Sequence, residues 1–379
     1  MHLAELMTAQ ALRSSVDLQP IDGPGGRVFP PTTDEQRHVV EELPNGERRV
    51  LIDSVASQAN RQEAALVEAR AQGVVDFADI YVDLAGTKAG IARLSATEMP
   101  HRLADAILRD SEIDRVPFGK SGLGQRILAA TTADYSALLE TSPTSLLYGC
   151  WFSRHKPPLR IQRVAVSEIW AENAVLGKTM GSRIDPLGIE ALALYQAADG
   201  DWTANENEAA PGKGKPKPFS KRPSELGHGN IPPSIRDQGI TAACVTLKWA
   251  LSLAAIRRLH FAGSARDAAG QAYIVALGIA ARVLDHEGGY SLRSRCDLLS
   301  AGPVTLEVID HNGVGVKHAV RKETALQLLQ EAEKGMRKAG LKLHEKVLAQ
   351  PSQKLVGLIA ANRRQQEVGS EAAAVEAAE

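Results

Sequence analysis

The chain has 379 residues and a formal net charge of −1, with 44% hydrophobic, 23% charged and only 4% aromatic residues. This length allows one large core or two modest ones, and the few aromatic residues argue against a wide platform for stacking bases. No apolar run approaches about twenty residues, and the first residues lack a secretion signal, so we expect neither a membrane helix nor export. Three cysteines lie far apart without a CxxC pair, which favours a reducing, cytoplasmic location.

The first half of the chain mixes predicted strands and helices. Gly and Pro make 17–34 an irregular loop, and "RRVLIDS" is a short strand candidate. The stretch "SVASQANRQEAALVEARAQG" predicts a helix that Ser54 caps and Gly73 ends. Further candidates follow in order: a strand at "DIYVDL", an amphipathic helix at "PHRLADAILRD", and the strands "TSLLYGCWF" and "RIQRVAVSEI", joined by the turn-like "SRHKPPL".

The second half opens with a short helix, "PLGIEALALYQA", and a basic, Pro-rich segment over about 203–235 that we expect to be a mobile loop. A strand that becomes helical, a buried apolar helix and two late strands follow, at "ITAACVTLKWALSLAAIRRLHF", "RDAAGQAYIVALGIAARVLDH", "SLRSRCDLL" and "VTLEVID". A long helical stretch starts at Glu323, and Gly335, Gly340 and Pro351 are candidate breaks in it. Without a strict βαβ rhythm, this mixture predicts an α+β fold. We expect one domain over 1–365 with insertions, and a disordered acidic tail over 366–379.

Two patterns suggest nucleotide hydrolysis or metal binding, and neither fits well. "FGKSGLG", 118–124, resembles the end of a phosphate-binding P-loop, but Asp114 stands where that loop requires glycine. Lys120 is then either a phosphate contact or a solvated side chain. For a metal, exposed polar groups are the simpler explanation of the one imaginable cluster, Asp285, His286, Glu287 and His311. We predict no metal and no cofactor.

The start of the helix predicted at "PHRLADAILRD" has two interpretations. Arg102, Asp105 and Arg109 share one helical face, which is typical of a solvated ladder of ion pairs. Alternatively, the helix N-terminus, with Arg93 and His101 nearby, faces a phosphate. Spacing alone leaves both open.

The turn-like "SRHKPPL" and its flanks are strongly basic. They carry Arg154, His155, Lys156, Arg160 and Arg163 on and beside a turn between two predicted strands. Such a hairpin tip is either a solubilising loop or a clamp for single-stranded nucleic acid, because Arg also stacks on bases. The second basic segment downstream favours binding.

That second segment has two parts. "GKGKPKPFSK" is too polar and Pro-rich to bury, which predicts a mobile loop that binds polyanions without reading sequence. "SELGHGNIPPS" suits a fixed turn that lets two backbones approach closely. In this turn, His228 and Asn230 are either hydrogen-bonding partners of RNA or turn formers.

Eight stretches, in their order along the chain, carry a family resemblance: "GGRVFPPT" (25–32), "VLIDSVASQANRQEAAL" (50–66), "PHRLADAILRDSE" (100–112), "PTSLLYGCW" (143–151), "VSEIW" (166–170), "GSRIDPLGIE" (181–190), "KRPSELGHGNIPPS" (221–234) and "YSLRSRCDL" (290–298). Together they resemble the backbone RAMP subunit of type I CRISPR interference complexes (Cascade), of subtype G, formerly U. The resemblance covers roughly residues 20 to 320.

The resemblance implies a modified RRM-like, ferredoxin-like palm with helical insertions and a hairpin thumb, formed by either 152–163 or 203–235. Copies of the chain would polymerise head-to-tail along the spacer part of a CRISPR RNA, without sequence specificity, and present it to target DNA beside other Cascade subunits. This role requires a grip on the RNA backbone, and we expect the protein not to be an enzyme.

The residues expected to bind RNA are basic or polar side chains from these segments: Arg93, His101, Arg102, Lys120, Arg154, Lys156, Arg160, Arg163, Arg183, Lys215, Lys217, Lys221, Arg222, His228, Asn230, Arg293 and Arg295. The main alternative is a metal-independent endoribonuclease that processes repeat RNA, with His101, His155 or His228 as general acid or base. A scaffold that contacts no nucleic acid is the third hypothesis.

Overall fold

A computed structural model describes residues 2–32, 38–212, 214–343 and 347–378, without the side chains of 191 and of 367 onward. The chain divides into two compact units. The first consists of Met1–Val175 and Ile240–Val356, and the second of Leu176–Gly239 and Gly357–Glu379. The single domain over 1–365 stays a prediction. So does the disordered tail over 366–379, most of whose side chains lie outside the described residues.

The β-strands, in chain order, are β1 (Ala11–Pro20), β2 (Val40–Glu42), β3 (Arg48–Asp53), β4 (Ile80–Asp83), β5 (Arg93–Ser95), β6 (Ser111–Ile113), β7 (Val116–Pro117), β8 (Cys150–Phe152), β9 (Leu159–Ile161), β10 (Ala165–Glu172), β11 (Val175–Arg183), β12 (Tyr195–Gln196), β13 (Trp202–Thr203), β14 (Ile231–Thr241), β15 (Cys244–Ser252), β16 (Tyr290–Arg293), β17 (Cys296–Ser300), β18 (Thr305–Ile309), β19 (Gly315–Ala319) and β20 (Val347–Pro351).

The α-helices are α1 (Leu3–Met7), α2 (Val55–Ala71), α3 (Ala106–Arg109), α4 (Gly122–Leu128), α5 (Ser136–Leu139), α6 (Pro143–Tyr148), α7 (Leu253–Ile256), α8 (Ser264–Gly288), α9 (Lys322–Lys338) and α10 (Gln353–Ala378). Short 3₁₀ helices span Arg102–Ala104, Phe118–Lys120, Ile189–Ala191, Glu206–Glu208 and Pro223–Leu226.

The larger sheet of the first unit has the strand order β16-β17-β1-β15-β10-β3-β2, with β18 and β19 attached along β1. β1 and β15 pair antiparallel from Ala11↔Ser252 to Leu18↔Val245. Alternate residues of β1 are buried, because one face of the sheet packs on the core. The antiparallel sheet and its helices confirm the α+β prediction.

Helices α2 and α8 cover the buried face of this sheet. On α2, Gln58 accepts a hydrogen bond of 3.1 Å from Ser167 of β10. On α8, a Cβ added at Gly278 would lie 3.2 Å from the side chain of Leu147 on α6 and 3.4 Å from that of Leu251 on β15. The glycine therefore lets the helix pack closely against the sheet.

Helix α8 is long and apolar enough to cross a membrane by length and composition, contrary to the expectation that no such stretch exists. However, 72% of its apolar window is buried inside the protein. This burial is typical of the core helix of a globular domain, and it agrees with the buried helix that the sequence predicts here.

A second sheet in the first unit has the order β5-β4-β20-β6-β7. In this sheet β20 runs parallel to β4 and antiparallel to β6. The long helical stretch predicted from Glu323 is therefore interrupted: α9 ends near Gly340, whose φ is +77°, and β20 precedes α10.

Three predicted elements are wrong. The short helix expected at "PLGIEALALYQA" is a 3₁₀ helix, Ile189–Ala191, followed by the strand β12. "PHRLADAILRD" is not one amphipathic helix but a 3₁₀ turn followed by the four-residue α3. Asp105 separates them, because its backbone is extended and its side chain accepts the N–H of Ile107 as a helix cap. In "TSLLYGCWF", only β8 is a strand, and the preceding residues form α6, with Pro143 in its first turn.

The second unit contains an antiparallel ribbon of β11 and β14, and the small β12–β13 pair. Between β13 and β14, single bridges such as Pro211↔Pro216 and Tyr195↔Pro218 hold the Pro-rich segment. The segment over 203–235 is thus built from turns and bridges, and it ends in β14. Its mobility stays a prediction.

Candidate nucleic-acid interface

The hairpin of β8 and β9 carries the basic side chains predicted over 153–163. Trp151 pairs with Arg160 across the two strands. Because side chains alternate between the faces of a strand, Cys150 and Phe152 are buried, whereas Trp151 is 60% exposed. One face of the hairpin is therefore fixed in the core, and the other faces solvent.

Gly149 determines how the hairpin leaves the core. Its φ is +81°, and a Cβ there would lie 2.9 Å from the carbonyl oxygen of Ile161, so a larger residue does not fit without strain. The Gly149 carbonyl accepts a hydrogen bond of 3.3 Å from Arg102. The base of the hairpin is thus tied to buried groups.

The hairpin carries uncompensated positive charge. Arg154, Lys156 and Arg160 are exposed, and within the described part of the chain none of them has a carboxylate partner. Residues 153–163 contain no Asp or Glu. Arg163 differs, because its Nε donates to the Tyr148 carbonyl at 3.1 Å, and partial burial lowers its pKa.

A pocket of about 430 Å³ opens beside the hairpin. Trp151, Arg154 and His155 line it from the hairpin, and His101 and Asp105 line it from the segment before α3. The Asp105 carboxylate accepts two backbone N–H groups, at 3.0 and 2.8 Å. The fold therefore brings together two of the histidines that the sequence singled out separately.

The open face of the larger sheet has a groove of about 660 Å³, and Trp170 is one of the residues that line it. Three of its basic side chains are paired with carboxylates at 2.5, 2.6 and 3.2 Å: Arg13 with Glu307, Arg49 with Glu41, and Lys248 with Glu172. This face is therefore a weaker candidate for a polyanion than the hairpin, because much of its charge is already neutralised.

The predicted phosphate grip of Arg93, His101 and Arg102 does not form at a helix start. Arg102 is 8% exposed, and its guanidinium binds the carboxylate of Glu63 through two hydrogen bonds of 2.6 and 2.7 Å. Arg93 is exposed on β5, 5.5 Å from the ring of Tyr81. The four-residue α3 is too short to concentrate a helix dipole.

Arg293 and Arg295 also have protein partners. Arg293 donates to the Ile52 carbonyl and to the Asp53 carboxylate, at 2.8 and 3.0 Å. Arg295 is exposed, and its guanidinium lies 3.7 Å from the ring centroid of Phe29. Arg293 thus ties β16 to β3, whereas Arg295 remains accessible.

Seven further predicted residues lie in the second unit. Arg183, Lys215, Lys217, Arg222 and His228 are exposed, and Lys221 is partly buried.

Asn230 is engaged within this unit: its Oδ1 accepts the Asp185 N–H at 2.7 Å, and its Nδ2 donates to Glu190. Of the two interpretations of Asn230, this geometry fits the turn former.

Lys120 is exposed at the end of the 3₁₀ turn Phe118–Lys120, and Ser121 caps α4 directly after it. Among the described residues, no group of three His, Cys, Asp or Glu side chains could hold a metal ion. The absence of a metal stays a prediction.

Sequence reasoning missed two features. The sequence predicts Trp151 only as part of a strand, but its alternating position opposite Arg160 places its side chain outside the core. The ribbon of the second unit also exposes large apolar side chains, with Met180 and Ile235 71% and Ile184 82% accessible. For Trp151 and for the ribbon, the signal in the sequence was the alternation of side chains between the two faces of a strand.

No curated protein matches the chain. One solved structure, described as "CRISPR RNA-guided surveillance complex, pre-nicking", is 10% identical and covers 93% of this chain and 98% of its own, with a TM-score of 0.38. Residues 12–175, from β1 to the start of β11, match the family model described as CRISPR-associated protein GSU0053. This match, which spans less than half of the chain, confirms the resemblance to a CRISPR-associated family that the ordered motifs carried.

Proposed function

We propose that the protein is a non-catalytic, cytoplasmic backbone subunit of a type I Cascade complex. It binds the spacer part of a CRISPR RNA through the RNA backbone and stacks head-to-tail with copies of itself. Target DNA then pairs with the RNA that these copies display, so the protein itself reads no sequence. The family match over residues 12–175 supports the CRISPR-associated part of this proposal.

One observation carries the RNA-binding part of the proposal. Arg154, Lys156 and Arg160 stand exposed on one hairpin, and the residues described around them supply no carboxylate partner. By contrast, Arg13, Arg49 and Lys248 on the sheet are paired, as given above. Free cations release counterions when they meet a phosphate chain, whereas paired cations must first give up their partners.

The strand order supports an RRM-like palm. Within the larger sheet, the run β17-β1-β15-β10 with helices α2 and α8 corresponds to the βαββαβ arrangement of a ferredoxin-like fold. In this proposal β3 and the second sheet are insertions, and the β11–β14 ribbon of the second unit is the thumb. Of the two thumb segments predicted from the sequence, this proposal therefore favours 203–235, extended by the strand β11.

Exposed apolar side chains support assembly into a polymer. Met180, Ile184 and Ile235 on or beside the ribbon are each more than two-thirds accessible. Several large apolar side chains exposed on one element are candidates for a protein contact. In the proposal they contact a neighbouring copy or another subunit, through a head-to-tail interface that does not close on itself.

Native mass spectrometry of the full chain, with and without a matching CRISPR transcript, tests the function. We expect a ladder of masses in which several copies share one RNA. RNA of uniform length should also co-purify from a host that carries the array. Lone copies free of nucleotide, in the presence of the transcript, would overturn the proposal and favour a scaffold that contacts no nucleic acid.

A second candidate function, metal-independent cleavage of repeat RNA, is favoured by one observation: His101 and His155 line the same pocket. Two histidines at one site are able to act as general acid and general base. Labelled repeat RNA incubated with the protein in EDTA separates the two candidates. Discrete products that disappear in His101→Ala and His155→Ala indicate an endoribonuclease, and shifted but intact RNA indicates the backbone subunit.

A further inference from the structure

Trp151 has no role in the core. It is 60% exposed on the solvent face of β8, while its neighbours Cys150 and Phe152 make the buried contacts of the strand. Trp151 also lines the pocket of about 430 Å³. An exposed tryptophan at the edge of a pocket leaves apolar surface in water. A ligand that covers this surface would be stabilised, and the neighbouring side chains indicate which kind of ligand fits.

The charges around the indole point to a nucleotide. The guanidinium of Arg160 lies 6.0 Å from the ring centroid of Trp151. Arg154, His155 and His101 line the same pocket from two segments. An aromatic ring beside Arg and His side chains is the combination that holds an unstacked base of a single strand.

The pocket suits a base better than a phosphate. Its wall includes the apolar Leu103, Phe118 and Leu128. The Asp105 carboxylate is 5% exposed and is occupied by two backbone N–H groups, so the wall beside it offers little additional polar surface. The volume falls in the range of small-ligand sites.

We propose that this pocket holds one nucleobase of the bound RNA, stacked on Trp151, with its phosphate outside the pocket beside Arg154 and His101. The inference rests on the proposed function, because it assigns a base-binding subsite to the same hairpin. It adds that the hairpin recognises a base by its ring face, and not only the sugar–phosphate chain. The contact is tolerant of sequence, since every base has such a face.

The test measures binding of the full chain to two fluorescent single strands of about twelve nucleotides, one of oligoadenylate and one of the same ribose-phosphate chain without bases. For the unaltered protein we expect oligoadenylate to bind about tenfold more tightly. Trp151→Ala should remove this preference and leave the affinity for the abasic strand and its salt dependence unchanged. Trp151→Phe, which keeps an aromatic face, should retain most of the preference.

Trp202→Ala is the matched control, because Trp202 is also exposed but lies in the second unit, against His228. It should leave the preference for oligoadenylate intact. Equal affinities of the unaltered protein for both strands, or equal losses for both strands in Trp151→Ala, would overturn the base pocket while leaving the RNA-binding function standing. If neither strand binds, the proposed function fails as well.

Discussion

Arg102 and Glu63 form a buried ion pair that joins two family motifs. The Nε and Nη2 atoms of Arg102 lie 2.6 and 2.7 Å from the two carboxylate oxygens of Glu63 on α2. Both side chains are less than one-tenth exposed. The third nitrogen, Nη1, reaches the Gly149 carbonyl at the base of the hairpin. This arginine therefore connects α2 to the hairpin.

Arg102→Ala should destabilise the fold strongly, by about 3–5 kcal/mol, because it leaves the Glu63 carboxylate buried without its partner. Urea denaturation measures the loss. Arg93→Ala is the control, since Arg93 is exposed on β5 and its loss should cost less than about 0.5 kcal/mol. A fully stable Arg102→Ala variant that binds RNA with a weaker salt dependence would show instead that Arg102 contacts phosphate.

Removing the three free cations of the hairpin should flatten the salt dependence of RNA binding. Each phosphate contact on a single strand contributes about 0.7 to the slope of log K against log salt, so Arg154→Gln, Lys156→Gln and Arg160→Gln together should reduce it by about 2. Fluorescence anisotropy across a salt series measures the slope.

The matched control is the triple change Arg13→Gln, Arg49→Gln and Lys248→Gln on the open face of the sheet. These cations are paired with carboxylates, and the slope should change little. An equal reduction in both variants would mean that the sheet face also binds RNA.

Asp285 should make stability depend on pH. Burial raises the pKa of Asp285 from 3.8 to about 6. The nearby Arg282 and Arg61 lower this pKa only in part, and the Asp53 carboxylate raises it further. Because the folded-state pKa lies above the unfolded one, the folded protein binds the proton more tightly. This contribution to stability is complete below the unfolded pKa and is lost as pH rises to about 6.

In Asp285→Asn this loss is absent. Relative to the unaltered protein, the variant should therefore gain about 3 kcal/mol of unfolding free energy between acidic pH and pH values above the folded pKa. Urea denaturation at both pH values measures it. Asp114→Asn, which changes an exposed carboxylate, should show no such gain. Parallel pH profiles of Asp285→Asn and the unaltered protein would contradict the prediction.

Asn230→Ala should loosen the turn that contains Asp185 without altering the charge of the proposed RNA-binding surface. The side chain holds this turn through the Asp185 N–H and the Glu190 carboxylate. We expect faster proteolysis within residues 184–190 and an unchanged salt slope. His228→Ala, a change two residues away at an exposed ring, should leave proteolysis unaffected. If Asn230→Ala lowers RNA affinity with normal proteolysis, Asn230 bonds to RNA directly.

Local patterns predicted the elements that depend on periodicity. The helix capped by Ser54, the apolar helix α8 and the basic turn between two strands all follow from spacing and turn residues. The helix expected at residues 100–110 failed because Asp105 caps a second, shorter helix. The Asp105 carboxylate accepts a backbone N–H and so replaces a hydrogen bond of a continuous helix. The spacing of apolar residues, from which the helix was predicted, contains no information about this bond.

Long-range pairing explains why the candidate site was predicted less well. Arg102, Arg293 and Asn230 have the residue types of RNA contacts, yet each is bound to an acid or an amide distant in sequence. The sequence shows that a side chain is charged, but not whether that side chain contacts a carboxylate or solvent in the folded protein. For the same reason, no sequence pattern linked His101 to His155 or placed Trp151 beside them.

Side chains along β8 alternate between the core and solvent, so substitutions on its two faces have different consequences. Substitutions at Cys150 or Phe152 act on folding, whereas a change at Trp151, on the outward side of the same strand, is free to alter what the protein grips at little energetic penalty. If the proposed function holds, a change at Trp151 would alter the contact with RNA and leave the scaffold of the hairpin intact.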